Sequence, residues 1–251
     1  MGSSKWYQVS KRYDVIDLVV TTCDRLNHLK WTLKYIKERT TTPYRLTIVD
    51  DASIDGTVEY LRGDTVQGPV DNLILRSGWV DQVILRPTRV GPGAYLRDML
   101  YITTTDPIVV TDDDILCPRL EPDWLAQGLQ ALKDHPELAV IALNNPQCNV
   151  RHSRHVQLRG PQVTTCKFLG GTFLFIRRRA LEGYVPATNS RLGPIKTWLR
   201  TLSEPRGYLT NVYCQHIGME SVRTSDDLSV IYHDALPRNG STLEPIAKYR
   251  G

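Results

Sequence analysis

The chain has 251 residues, enough for one large or two small domains, and its 41% hydrophobic and 23% charged content is that of a globular protein. No apolar run approaches the ~20 residues of a membrane span and the opening MGSSKWYQVS carries no apolar leader, so a cytoplasmic protein with no transmembrane segment is expected. The five cysteines (Cys23, Cys117, Cys148, Cys166, Cys214) are odd in number and form no CxxC pair, which speaks against a disulfide framework or a zinc ribbon. The net charge of +4 is unevenly spread: residues 151–200 hold ten of the 31 bases and a single acid, Glu182, so 21 bases face 26 acids elsewhere. Such a basic stretch is either a solvated face or a surface that meets an anion.

VIDLVV (15–20) is short, β-branched and apolar, a buried strand. Asp24 follows as the expected N-cap of an amphipathic helix over RLNHLKWTLKYIKER, where Leu29, Leu33 and Ile36 recur at i, i+4 and i+7. Pro43 ends that helix. RLTIVD (45–50) is a second strand, SIDGTVEYL a turn into a short helix, and QVILR (82–86) a third strand. GAYLRDMLYI (93–102) is a helix and PIVV (107–110) a fourth strand.

The second half is less regular. DWLAQGLQALKDH (123–135) is helical, and LAVIAL (138–143), TFLFI (172–176) and GYLTNVYCQH (207–216) are strands. Residues 144–168 have no clear period and read as a long loop. Arg177, Arg178 and Arg179 are expected at a strand-to-helix junction, with at least one merely solvated. Trp124 and Trp198 are expected as core or pocket wall. Residues 236–251 are a Pro/Gly-punctuated tail.

Strands alternating with helices at this spacing imply βαβ units and a mostly parallel sheet, whose ligands bind at the carboxyl ends of the strands beside a switch point. Three of the first four strands end in polar clusters: Thr21-Thr22-Cys23-Asp24, Asp50-Asp51, and Asp112-Asp113-Asp114. One parallel sheet would bring these ends together. The acidic triplet in VVTDDDILCP (109–118) is either a solvated loop or a site for Mg²⁺ or Mn²⁺, hard cations that bind through one or two carboxylates plus substrate phosphates.

VVTTCDR, IVDDASIDGT, VVTDDDILCP, LGGTFLFIRRRAL and VYCQHIG, in that order over residues 15–218, resemble the GT-A glycosyltransferases of family 2. The resemblance implies a single α/β domain with a Rossmann-like, mostly parallel central sheet flanked by helices. Residues 1–115 would be its donor-binding half, 116–235 its acceptor half, and 236–251 the tail. It further implies transfer of a sugar from a nucleotide sugar, UDP-linked by default, to a hydroxyl acceptor, with Mn²⁺ or Mg²⁺. On that basis Thr21, Thr22 and Arg25 line the nucleotide pocket and Asp50 accepts a hydrogen bond from the base, with Asp51 beside it. Gly91 and Arg97 cover ribose and phosphates, Arg97 as the cation. Asp112 and Asp114 form the DxD pair, Asp112 toward the ribose and Asp114 on the metal. His216 adds a metal or diphosphate contact, and Gly170 and Gly171 let the backbone approach the sugar. The residues alone also allow blander roles: Asp50 and Asp51 as turn caps, Gly91 as a turn residue, His216 as a satisfied core histidine.

One departure concerns the acceptor side. Inverting members carry an acidic pair some twenty residues beyond the Gly-Gly strand, and here RLGPIKTWLRTL puts Pro194 and Ile195 there. Glu204 is the candidate catalytic base, with Glu220, Asp226 and Asp227 as others, and inversion and retention both stay open. The missing acids fall inside the basic stretch, which fits a polyanionic acceptor such as hydroxymethylated DNA, a phosphorylated glycan or an anionic lipid carrier. Other readings are a nucleotidyltransferase, disfavoured because VVTTCDRLNH lacks a glycine-rich loop, and a non-catalytic sugar- or nucleic-acid-binding module.

Overall fold

Strand β1 (Ile16–Thr22) is buried along its whole length, because it is an interior strand of a sheet with both faces covered. The computed structural model describes residues 15–63, 79–145, 156–157, 163–166, 169–170, 173–184 and 194–218. Within them β1 is followed by α1 (Leu26–Arg39), β2 (Tyr44–Asp50), α2 (Thr57–Leu61), β3 (Gln82–Leu85), α3 (Pro92–Ile102) and β4 (Ile108–Asp112). Then come β5 (Ile115–Leu116), α4 (Trp124–Asp134), β6 (Val140–Asn144), β7 (Val156–Gln157), β8 (Val163–Thr165) and β9 (Leu174–Ile176). Two short helices, α5 (Arg178–Leu181) and α6 (Pro194–Thr201), precede β10 (Arg206–Tyr213) and β11 (Gln215–His216).

Nine strands form one sheet in the order β3-β2-β1-β4-β9-β6-β10-β8-β7. β3, β2, β1 and β4 are mutually parallel, β9 is antiparallel to both β4 and β6, and β10 runs parallel to β6. Alternate residues of each strand feed separate cores. Leu18, Val20, Leu46 and Ile48 pack with α1 and with Trp124, Leu125 and Leu132 of α4. Val19, Val49, Ile108 and Val110 pack with Tyr95, Leu96 and Met99 of α3 and Trp198 of α6. Leu29, Leu33 and Ile36 are fully buried along one stripe of α1, each worth about 1.5–3 kcal/mol of apolar transfer. Gly128 of α4 sits where any Cβ would collide with the Phe175 ring, so its lack of a side chain sets how closely that helix approaches the sheet.

The chain runs from β1 to β2 and β3 on one side, then returns to β4 on the other, placing a switch point between β1 and β4. Register aligns the polar strand ends there: Thr22 lies opposite Asp50 and Thr21 opposite Asp112. A separate two-stranded ribbon pairs His216 with Ile115, immediately after the acidic triplet.

Three local expectations are corrected, and one helix went unread. Asp24 is not the N-cap of α1; it takes φ 52, and Leu26 N–H is instead met from another loop by Asp55 Oδ2 at 2.9 Å. The 144–168 stretch contributes β7 and β8, which pair through Gln157 and Thr164; strands this short give no readable period. RLGPIKTWLRTL contains α6, whose Trp198 and Leu199 are buried, and the spacing of Ile195, Trp198, Leu199 and Leu202 carried that signal. Finally, Arg177–Arg179 do stand at the β9–α5 junction, yet none is merely solvated. Arg177 donates to the Leu132 and Leu138 carbonyls, Arg178 to those of Leu100 and Thr103, and Arg179 to Pro136 and to Glu204. The 236–251 tail lies outside the described residues. Among the described residues no helix is long and apolar enough to cross a membrane.

Candidate active site

The acidic triplet turns between β4 and β5, and each carboxylate has its own environment. Asp112 Oδ1 accepts from Thr21 Oγ1 and Tyr95 Oη, both at 3.3 Å. Asp113 points inward, where Oδ2 accepts from Thr22 Oγ1 at 2.7 Å, while its main-chain carbonyl accepts from Thr32 Oγ1 at 2.6 Å. Asp114 Oδ2 accepts from Arg25 Nη1 and lies 3.2 Å from His216 Nε2. Asp114 Oδ1 is buried and accepts no hydrogen bond among the described residues. The ribbon holds this arrangement, with Ile217 N–H donating to the Asp114 carbonyl at 2.8 Å. A Cβ on Gly218 would fall 2.6 Å from Arg25 Nη1 and closer still to Asp114 Oδ2, so the backbone is drawn tight over the pair.

Three carboxylates in a row, Asp112 half-buried and Asp113 and Asp114 buried, do not ionise alike. Burial, reinforced by the Asp114 charge, pushes Asp112 up to about 6 and Asp113 well above the usual carboxylate range. Burial pulls Asp114 the same way, but the His216 hydrogen bond and the charges of His216 and Arg25 outweigh it and hold Asp114 below that range. His216 is raised in return: burial favours its neutral form, and the hydrogen bond and charge of Asp114 overcome it. Asp114 therefore gives up its proton most readily of the three.

Across the switch point Asp50 is fully buried. Its Oδ2 accepts from Ser53 N–H at 3.0 Å, and its Oδ1 accepts nothing among the described residues. Asp51 has a different role: its carboxylate accepts from Val90 N–H at 2.9 Å and Gly91 N–H at 2.8 Å, tying the loop before α3 to the end of β2. Asp24, in left-handed backbone, accepts from Ile54 N–H and pairs with Arg89, closing the rim above.

The structure thus brings together Thr21, Thr22, Arg25, Asp50, Asp51, Gly91, Asp112, Asp114 and His216. Gly170 is buried beyond β8; Gly171 lies outside the described residues. Arg97 is not brought in, being exposed on α3 and paired with its neighbour Asp98. Glu204 is at the wrong edge of the sheet. It precedes β10, whose Arg206 is level with Val140, Ile176 and Ile108, the first residue of β4. Asp112 stands at the last residue of β4, about 13 Å away along the strand, and Glu204 is engaged by Arg179 at 2.6 Å. Glu220, Asp226 and Asp227 lie outside the described residues.

Residues 17–185 match the sequence family described as Glycosyl transferase family 2. The chain belongs to glycosyl transferase family 2. Similar solved structures agree on the fold. The mannosyltransferase PcManGT from Pyrobaculum calidifontis, solved with GDP-Man and Mn²⁺, superposes with a TM-score of 0.61 at 18% identity over 85% of this chain and 62% of that one. S. aureus TarS 1–349 superposes with a TM-score of 0.51 at 15% identity, and with 0.53 at 14% identity in its complex with UDP; both cover 79% of this chain and 60% of that one. The chain therefore spans less than two thirds of these relatives. No curated protein sequence matches it.

A family 2 site implies a divalent cation, and the donor set can be judged on its own chemistry. Among the described residues no group of three or more His, Cys, Asp and Glu side chains is arranged to hold a metal. Asp114 and His216 converge, however, and the unpartnered Asp114 Oδ1 is a buried acceptor without a donor. Two protein ligands suffice for a cation that completes its shell with water and phosphate oxygens, so these residues fit. Sequence reading missed Tyr95, because a buried tyrosine in an amphipathic helix is indistinguishable from core. It also missed Gly218, which no local pattern marks.

Proposed function

We propose that this family 2 chain moves a glycosyl group from a nucleoside diphosphate sugar to a hydroxyl acceptor, with a divalent cation at Asp114 and His216. The pairing of Asp114 with His216 beside an unpartnered Asp114 oxygen carries this reading. When bound, the cation supplies positive charge to the departing diphosphate. The chain's own residues do the rest. Asp50 Oδ1 accepts an N–H from the base, which uracil offers through its imide; Asp112, steadied by Thr21 and Tyr95, turns to the ribose. Asp51 fixes the 90–91 loop over the nucleotide, and Gly170 and Gly171 admit the sugar. The buried switch point excludes water from the dipoles that orient the donor. Uridine is the proposed base, and the PcManGT and TarS complexes, with GDP-Man and with UDP, support a nucleotide-bound site in this fold.

The acceptor proposed is a hydroxyl on an anionic carrier, hydroxymethylated DNA among them, met by residues 151–200. Arg177–Arg179 are committed to the scaffold; among the other bases of that stretch, Lys196 is exposed on α6. Acceptor affinity should then fall steeply with salt and weaken in the double variant Arg151→Ala, Arg154→Ala.

Calorimetric titration of UDP, GDP, dTDP and CMP, each with Mn²⁺ and with chelator, tests the donor side. Metal-dependent binding of one nucleotide, abolished by Asp114→Asn in a folded protein, is the expected result. Nucleotide binding indifferent to both chelator and Asp114→Asn would overturn it.

A further inference from the structure

Arg25 holds the place of a cation. Its Nη1 bonds Asp114 Oδ2 and stands 3.9 Å from Asp113 Oδ1, and its side chain is only 14% exposed. Gly218 closes over the same two groups so tightly that no side chain could separate them. Arg25 comes from the loop between β1 and α1, the acids from the turn after β4, and Gly218 from the segment after β11. Three separate segments thus build a buried ion pair on the carboxylate assigned to the metal.

A divalent ion on Asp114 would be the third positive group at that carboxylate, after Arg25 and His216 on Oδ2. A hard divalent ion binds carboxylate oxygen at about 2.1 Å, which would set it against a guanidinium on the same side chain, in a site where water screens little. A planar guanidinium with five donors also fits phosphate oxygens at least as well as it fits a lone carboxylate oxygen.

We propose that Arg25 is an exchangeable counter-ion: it neutralises Asp114 in the empty chain, yields that carboxylate to the divalent cation, and transfers to the diphosphate of the donor. The inference rests on the metal-dependent reading above. It makes cation and nucleotide binding mutually supportive, because the metal releases the arginine that the diphosphate needs. It also keeps the metal weak when no nucleotide is present. No bond is made or broken in the exchange; one cation replaces another on Asp114.

The test is Arg25→Gln, with Arg25→Lys as the charge-keeping control, read by Mn²⁺ binding and nucleoside diphosphate binding measured separately. With Arg25 removed, Mn²⁺ alone should bind about tenfold tighter or more, since the carboxylate no longer has a competitor. UDP or GDP in saturating Mn²⁺ should bind about tenfold weaker or worse, a lost charge-assisted contact. Arg25→Lys should stay nearer the parent on both. Thermal unfolding gives an independent readout: Mn²⁺ should raise the Tm of Arg25→Gln more than that of the parent. A merely structural arginine would weaken both ligands together, and that result, or unchanged Mn²⁺ affinity, overturns the exchange while leaving metal-dependent transfer standing. If neither parent nor variant binds Mn²⁺ with or without nucleotide, both readings fall.

Discussion

His216 Nε2 lies 3.2 Å from Asp114 Oδ2 because the β5–β11 ribbon pairs His216 with Ile115. The pair is therefore a product of strand register rather than of a flexible loop. Replacing His216 by Ala removes one of the two proposed ligands and leaves the ribbon's backbone bonds in place. Mn²⁺-dependent nucleotide binding should weaken by about 10–100-fold, with little change in Tm. Calorimetry beside a melting curve separates this from unfolding, and an equal affinity in His216→Ala would remove His216 from the site.

Asp50 offers one buried oxygen that accepts nothing from the described residues. Asp50→Asn would turn an anionic acceptor into a neutral amide, so a base that donates an N–H should lose about tenfold or more in affinity. The loss should appear for UDP or GDP and be smaller for CMP, whose ring nitrogen at the matching position is an acceptor. Competition binding with the three nucleotides reads this directly.

Gly128 carries the approach of α4 to the sheet. Gly128→Ala places a methyl group inside the Phe175 ring position, an overpacking that should cost about 1–3 kcal/mol. Urea unfolding should show a lower midpoint with an unchanged slope. Because α4 packs away from the switch point, nucleotide affinity in the folded fraction should hold.

Asp17 and Asp123 are two carboxylates whose contribution to stability fades in acid. Burial alone would raise both, but Asp17 accepts from Thr104 N–H, Thr105 N–H and Arg45, and Asp123 from Ala126, Thr41 and Thr42 N–H, and these bonds lower both below the usual value. A folded carboxyl with a lowered pKa contributes stability that is fully present above the unfolded value of about 3.9 and disappears as pH falls through the folded one. Asp17→Asn should cost about 1–3 kcal/mol at pH 7. The gap between parent and variant should narrow below about pH 4. Denaturant titrations from pH 7 to 3 check the sign, and a gap that widens in acid would contradict it.

The local patterns of the sequence determined the strands β1 to β4, the helices α1, α3 and α4, and the polar residues ending three of the strands. Each is written in a few consecutive residues: β-branched runs, apolar spacing of three and four, Asp and Gly at turns. Parallel pairing then obliges Thr21, Asp50 and Asp112 to meet, so that convergence was legible. Who partners Asp114 was not, because Arg25 on one side and His216 and Gly218 on the other reach it from two distant segments whose meeting depends on the register of a two-residue ribbon. The same holds for Glu204: an acid downstream of the Gly-Gly strand looks available until β10 pairs parallel to β6 and fixes it at the opposite edge. Likewise at least one of Arg177–Arg179 reads as merely solvated until their carbonyl partners, 39 or more positions away in Leu100, Leu132 and Leu138, are brought beneath them by the sheet. Local chemistry is set by neighbours along the chain, whereas the charge balance of a buried site is set by whichever strands the hydrophobic cores lock side by side.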